Sequence, residues 1–137
     1  MRVHIDHIKW LAKEIQEAVV TFSVQGAQFT AFSMDTNYKE GDEADLEVRI
    51  GLDGPPYEWE EMFGGNPDKR KCLIQKRPGA WEYDAYGQVT RIEPELTVDV
   101  GPFELEVGEI THDPRVVGEY VRVGILRLDI NQMPRGS

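Results

Sequence analysis

The stretch Gly118–Ile130 (GEYVRVGILRLDI) decides the fold, because its hydrophobic phase changes halfway along. Val121, Val123 and Ile125 occupy odd positions, whereas Leu126, Leu128 and Ile130 occupy even ones. Side chains on a strand alternate between faces, so both halves can face inward only if an extra residue near Gly124–Leu126 rotates the chain. A β-bulge does this, and bulges bend strands where a sheet coils into a barrel. The stretch therefore predicts architecture and carries no chemistry of its own.

Working outward, the same alternation recurs. Ala18, Val20, Phe22 and Val24 alternate with Val19, Thr21 and Ser23, and Phe29 and Ala31 alternate with Gln28 and Thr30. Gln25-Gly26 between them predicts a tight hairpin, with Gly26 supplying a positive φ. Ala44, Leu46, Val48, Ile50 and Leu52 form the cleanest half-buried run. Trp81, Tyr83, Ala85 and Val89 share a face within Ala80–Ile92, and Gly87 is expected to kink it. Leu96, Val98 and Val100 pair across Gly101-Pro102 with Phe103, Leu105 and Val107. The pattern predicts an all-β chain, or β with one short helix: a single small antiparallel, OB-like β-barrel of about 7–8 strands over residues 1–133. Residues 134–137 form a tail, and its Gly136-Ser137 reads as an expression scar.

Two segments admit two readings. Ile8, Leu11, Ile15, Ala18 and Val19 fit helical spacing, but Val3 and Ile5 begin a strand and Lys13-Glu14 suits a turn; strand, turn, strand is the favoured reading of residues 5–18. The long connection Asp53–Gly79 opens with Pro55-Pro56 and is broken at Gly64-Gly65-Asn66-Pro67. Tyr57–Phe63 within it suits a short helix that would plug an open barrel end, as in an OB-type barrel.

Ile8-Lys9-Trp10-Leu11, Glu17-Ala18-Val19-Val20-Thr21-Phe22, Phe29-Thr30-Ala31-Phe32, Trp81-Glu82-Tyr83 and Tyr86-Gly87 resemble segments of small uncharacterised bacterial proteins. The resemblance implies a small OB-like β-barrel and no activity, and it transfers no functional residue.

The formal charge is −10. Phosphate neutralisation dominates nucleic-acid affinity, so this balance argues against nucleic acid and anionic membranes and in favour of a basic partner. A lone cysteine, Cys72, excludes an internal disulfide. The charged N-terminus (MRVHIDHIKW) lacks a signal-peptide core, and no apolar run approaches the roughly 18 residues of a membrane span. A cytoplasmic protein is expected.

Motifs for catalysis are weak. On a strand His4 and His7 point to opposite faces, so a metal set with Asp6 is disfavoured and would need a third ligand from afar, such as His112 or Asp113. His112-Asp113-Pro114 reads as a turn before it reads as a general base. Cys72 follows Lys69-Arg70-Lys71, which would favour a thiolate, but no base or oxyanion site is legible for it. Carboxylates are too abundant for any pair to mean glycosidase chemistry. No catalytic residue, metal or cofactor is expected.

The charge pattern is more informative. Glu40–Glu61 carries nine acids against Arg49 alone, and Glu93–Asp113 carries seven acids and no Lys or Arg. Outward positions on neighbouring strands would merge these into one acidic face. Its expected members are Glu43, Asp45, Glu47, Glu95, Asp99, Glu104 and Glu106, with Tyr57 and Trp59 at its rim as interface anchors. Lys69, Arg70, Lys71, Lys76 and Arg77 form one basic run, expected to pair with that face in preference to the alternative of binding a small anion. The leading functional reading is a non-enzymatic protein-binding module for a basic partner, in concrete form an immunity or antitoxin-like protein. The alternatives are a small-molecule barrel or enzyme with Trp81, Tyr83, Tyr57 and Trp59 at a barrel-mouth pocket, and a homo-oligomerising domain that pairs edges such as Phe103–Val107.

Overall fold

A computed structural model of the chain describes residues 1–51 and 57–132. Leu52, Asp53, Pro55-Pro56 and the 134–137 tail lie outside the described residues.

The strands expected from period-2 alternation are present. β1 (Arg2–Ala12) and β2 (Glu17–Val24) are joined by a single 3-10 turn, Lys13–Ile15, so residues 5–18 are strand, turn, strand. β2 pairs with β3 (Ala27–Ser33) through the hairpin at Gln25-Gly26, where both residues take positive φ (51° and 79°). β4 (Glu43–Ile50) pairs antiparallel with β1 on one side. On its other side lies β10 (Leu128–Gln132), which also runs parallel to β3. The order β1-β2-β3-β10-β4 closes a five-stranded barrel.

A second sheet is built on β6 (Tyr83–Arg91). Tyr83–Tyr86 pair with β5 (Cys72–Gln75) and also with β9 (Tyr120–Ile125). Gln88 pairs with Tyr120 of β9 and with Asp99 of β7 (Leu96–Asp99). β5 and β7 therefore occupy successive lengths of one edge of β6, with β9 along the other. Gly87 sits where the partner changes. A Cβ there would collide with the Asp99 carbonyl oxygen and lie 2.6 Å from Val98 Cγ1, so the expected kink position is a point of close backbone approach. β8 (Glu104–Gly108) pairs with β7 alone among the described residues.

The Gly118–Ile130 stretch is not one bulged strand. It is two strands, β9 and β10, that belong to different sheets, and the chain crosses between them at Leu126-Arg127. The phase resets because the second strand faces a different core wall. Leu126, expected to point inward, is exposed, while Ile125 and Leu128 are buried. This split, together with the short β5, gives ten strands among the described residues where about seven to eight were expected.

Both sheets contribute to a single apolar core. Ile5, Val20, Phe22, Leu46, Leu128 and Ile130 supply the barrel side, and Val89, Val98, Leu105, Val121 and Ile125 the other. Phe29 joins them, its ring centroid 5.7 Å from Phe22, 5.4 Å from Phe103 and 6.4 Å from Tyr83. The helix α1 (Trp59–Gly64) packs on β9 and buries Met62; it covers the second sheet and does not plug a barrel end. Its position follows from β5, which anchors the long connection to β6.

Candidate functional site

A cleft of about 330 Å³ opens between β4 and β8. Its apolar lining comes from Met1, Leu46, Val48, Pro102 and Phe103, and its charged lining from Glu47, Arg49, Glu104 and Glu106. The alternation explains this composition. Leu46 and Val48 face the core while Glu47 and Arg49 face out, and Leu105 is buried between exposed Glu104 and Glu106.

Electrostatics concentrate here. Glu95 lies beside Glu106, whose carboxyl, by hydrogen bonding and charge together with slight desolvation, raises the Glu95 carboxyl above its ordinary 4.5. Arg49 bonds Glu47 at 2.9 Å and lies within the fields of Glu95 and Glu106. Arg91 reaches Glu104 at 3.3 Å and Glu106 at 3.6 Å. Two guanidiniums thus serve Glu47, Glu95, Glu104 and Glu106, leaving the group net acidic.

Of the expected acidic face, the structure brings Glu47, Glu95, Glu104 and Glu106 together and separates the rest. Glu43 bonds His4 Nδ1 at 2.7 Å, and Asp45 pairs with Arg2 at 3.3 Å, both across the β1–β4 ladder. Asp99 is held by Lys71 at 2.9 Å and accepts from Gly101 N–H at 2.9 Å; these contacts lower its carboxyl below the usual range. The basic run therefore meets this face only at Lys71. Tyr57 and Trp59 are not at the cleft rim. Tyr57 donates to Asp84 at 2.6 Å, and Trp59 stacks on Phe63 at 4.3 Å beside β9. The sequence shows which residues point outward, but not which strands stand beside one another.

The other candidates disperse. Tyr83 is buried in the core and Trp81 packs edge-on against Phe32, so the four residues proposed for a barrel-mouth pocket do not converge. His7 bonds Glu40 at 2.8 Å, away from the His4–Glu43 pair. Among the described residues, no group of three or more His, Cys, Asp or Glu is arranged to hold a metal ion. His112 bonds Glu93 at 2.7 Å, while Asp113 caps the 3-10 turn Pro114–Val116 by accepting from Arg115 N–H, so this segment is a turn. Cys72 opens β5 opposite Tyr86. Among the described residues, no helix is long and apolar enough to cross a membrane.

Sequence reasoning missed Arg49 and Arg91 as members of the site. Arg49 was legible as the single cation of its acidic run. Arg91 was not, because its role depends on the β6–β7–β8 register. Comparison with protein-family models, curated proteins and solved structures finds no match to this chain.

Proposed function

We propose that the protein is a non-enzymatic binding module that captures a basic segment of a partner protein in the β4–β8 cleft. The observation that carries this reading is the gathering of Glu47, Glu104 and Glu106, with Glu95 beside Glu106, around an apolar floor whose part-exposed members are Met1, Pro102 and Phe103. Glutamates crowded on neighbouring strands repel one another, and a cationic side chain would relieve that repulsion while its stem covers the floor. The net charge of −10 would steer such a partner toward the molecule.

A concrete form is an immunity or antitoxin-like protein that occludes a cationic toxin in the bacterial cytoplasm, where a single cysteine stays reduced. The barrel is read as OB-type on the strength of its five closed strands. Nucleic acid remains the least favoured ligand on charge grounds.

Fluorescence anisotropy with labelled octalysine tests the proposal. Saturable binding that weakens steeply with salt is expected; absence of binding at low salt sinks it. A second reading, pairing between copies through β8, rests on that strand's having one ladder partner, β7, among the described residues. Sedimentation showing one species of monomer mass at all concentrations removes it.

A further inference from the structure

The cations of this acidic chain are not evenly spread. On the outer face of the second sheet, cations and tyrosine rings interleave. Lys76 Nζ lies 5.4 Å from the centroid of Tyr57, and the Arg122 guanidinium lies 4.2 Å from the same ring. Arg122 is the cross-strand neighbour of Tyr86, and Arg70 stands 5.0 Å over Tyr86. Lys69 lies 5.9 Å over Tyr120, two residues along β9 from Arg122.

These cations are unequally compensated. Lys71 pairs with Asp99 at 2.9 Å, Lys76 with Asp84 at 3.5 Å, and Arg77 with Glu82. Among the described residues, Arg122 has only Glu61 as a carboxylate partner, at 4.0 Å, and its Nε is buried without a hydrogen-bond partner. Lys69 and Arg70 have no carboxylate at ion-pair distance among the described residues.

The backbone presenting them is held in place. Asn66 is 4% exposed. Its Nδ2 donates to the carbonyls of Arg70 (3.0 Å) and Val121 (3.3 Å), and its Oδ1 accepts from Arg70 N–H at 2.8 Å. This staples the Asn66–Arg70 turn to β9 beside Arg122. Lys69 adopts φ 54°, a left-handed conformation unfavourable for a lysine. Gly65 packs against Arg122, where an added Cβ would sit 2.8 Å from Arg122 Cβ. The turn is therefore preorganised, and it sets Lys69 over Tyr120 and Arg70 over Tyr86, the ring that neighbours Arg122 across the β6–β9 ladder.

We propose that this face binds an oxyanion of the phosphate class through Lys69, Arg70 and Arg122. Guanidinium groups match the geometry of phosphate oxygens, and Lys69 adds a point charge. The ligand class is opposite in sign to the partner proposed for the cleft, and the two sites lie on different strands.

The test is ¹⁵N NMR of the full chain, titrated with sodium phosphate against sodium chloride of equal ionic strength. Saturable shifts are expected at the amides of Lys69 and Arg70 and at the Nε–H signals of Arg70 and Arg122. R70Q, a side chain at the surface, should weaken binding about ten-fold, the effect of losing one charge-assisted contact. K13Q, on the β1–β2 connection, should leave binding unchanged. R122Q serves as a second variant, its fold checked by unchanged barrel resonances. Adenosine monophosphate forms a second arm. Tighter binding than phosphate assigns the site to a ring-bearing phosphate, equal binding assigns it to phosphate alone, and both support the proposal. Shifts that match those in chloride, or binding that survives R70Q and R122Q intact, overturn it.

Discussion

The backbone N–H of Thr30, on the barrel strand β3, donates a 2.7 Å hydrogen bond to the hydroxyl of Tyr83, the first residue of β6. It is a buried polar tie between the barrel and the second sheet, set beside the Phe29–Tyr83 ring contact. Burial raises the Tyr83 hydroxyl above its ordinary 10.0, so it remains neutral at physiological pH. Tyr83→Phe keeps the ring but strands a buried N–H. Denaturant unfolding should show a loss of about 1–3 kcal/mol, the cost of an unsatisfied donor. An unchanged midpoint would mean the two sheets do not depend on this bond.

Gly87 tests the shared edge of β6. Gly87→Ala drives a methyl into the Asp99 carbonyl and Val98, where neither backbone nor β-branched side chain yields easily. The expected loss is about 1–3 kcal/mol, in the range of overpacked cores. Retained stability would show that β7 can shift along the edge.

Arg127 lies in the crossing between sheets and Asp129 in β10 just after it, paired through Nε at 2.7 Å and Nη2 at 3.0 Å. The Arg127 guanidinium also lies 4.4 Å over Phe32. Asp129 is 9% exposed overall, so Arg127→Ala leaves a largely buried carboxylate without its main partner. A loss of about 2–3 kcal/mol is expected, below the figure for a wholly buried pair because water reaches both groups. A Tm within error of the parent would refute this account of the crossing.

His4 provides a pH test. Its hydrogen bond to Glu43, together with the charges of Glu43 and Asp6, raises it above 6.5. A histidine raised by folding stabilises the fold fully below its unfolded pKa, and that contribution is lost as pH rises through the folded value. NMR titration should place its midpoint above 6.5, and Glu43→Gln should move it downward. A midpoint indifferent to Glu43→Gln would show that the pair does not persist in solution.

Much of the barrel was legible because β2, β3 and β4 alternate cleanly between a buried and a wet face. The division of Gly118–Ile130 between two sheets was not. A bulge and a strand break produce the same phase change in sequence, and only the exposure of Leu126 separates them. β5 was hidden because Cys72–Gln75 is short and follows the Lys69–Lys71 run. For the site, outward orientation could be read from parity, which is why Glu47, Glu104 and Glu106 were named. Their separation from Glu43, Asp45, Asp99, Tyr57 and Trp59 depends on long-range register, which parity does not contain.

The cleft reading depends most on where the carboxylates stand. Calorimetric titration of octalysine into E104Q/E106Q, and into E58Q/E60Q with its changes at and beside α1, compares two variants of equal net charge. The account predicts about five-fold weaker binding for E104Q/E106Q only, as two exposed ion pairs of about 0.5 kcal/mol each would give. Equal weakening of both variants, or of neither, would contradict it.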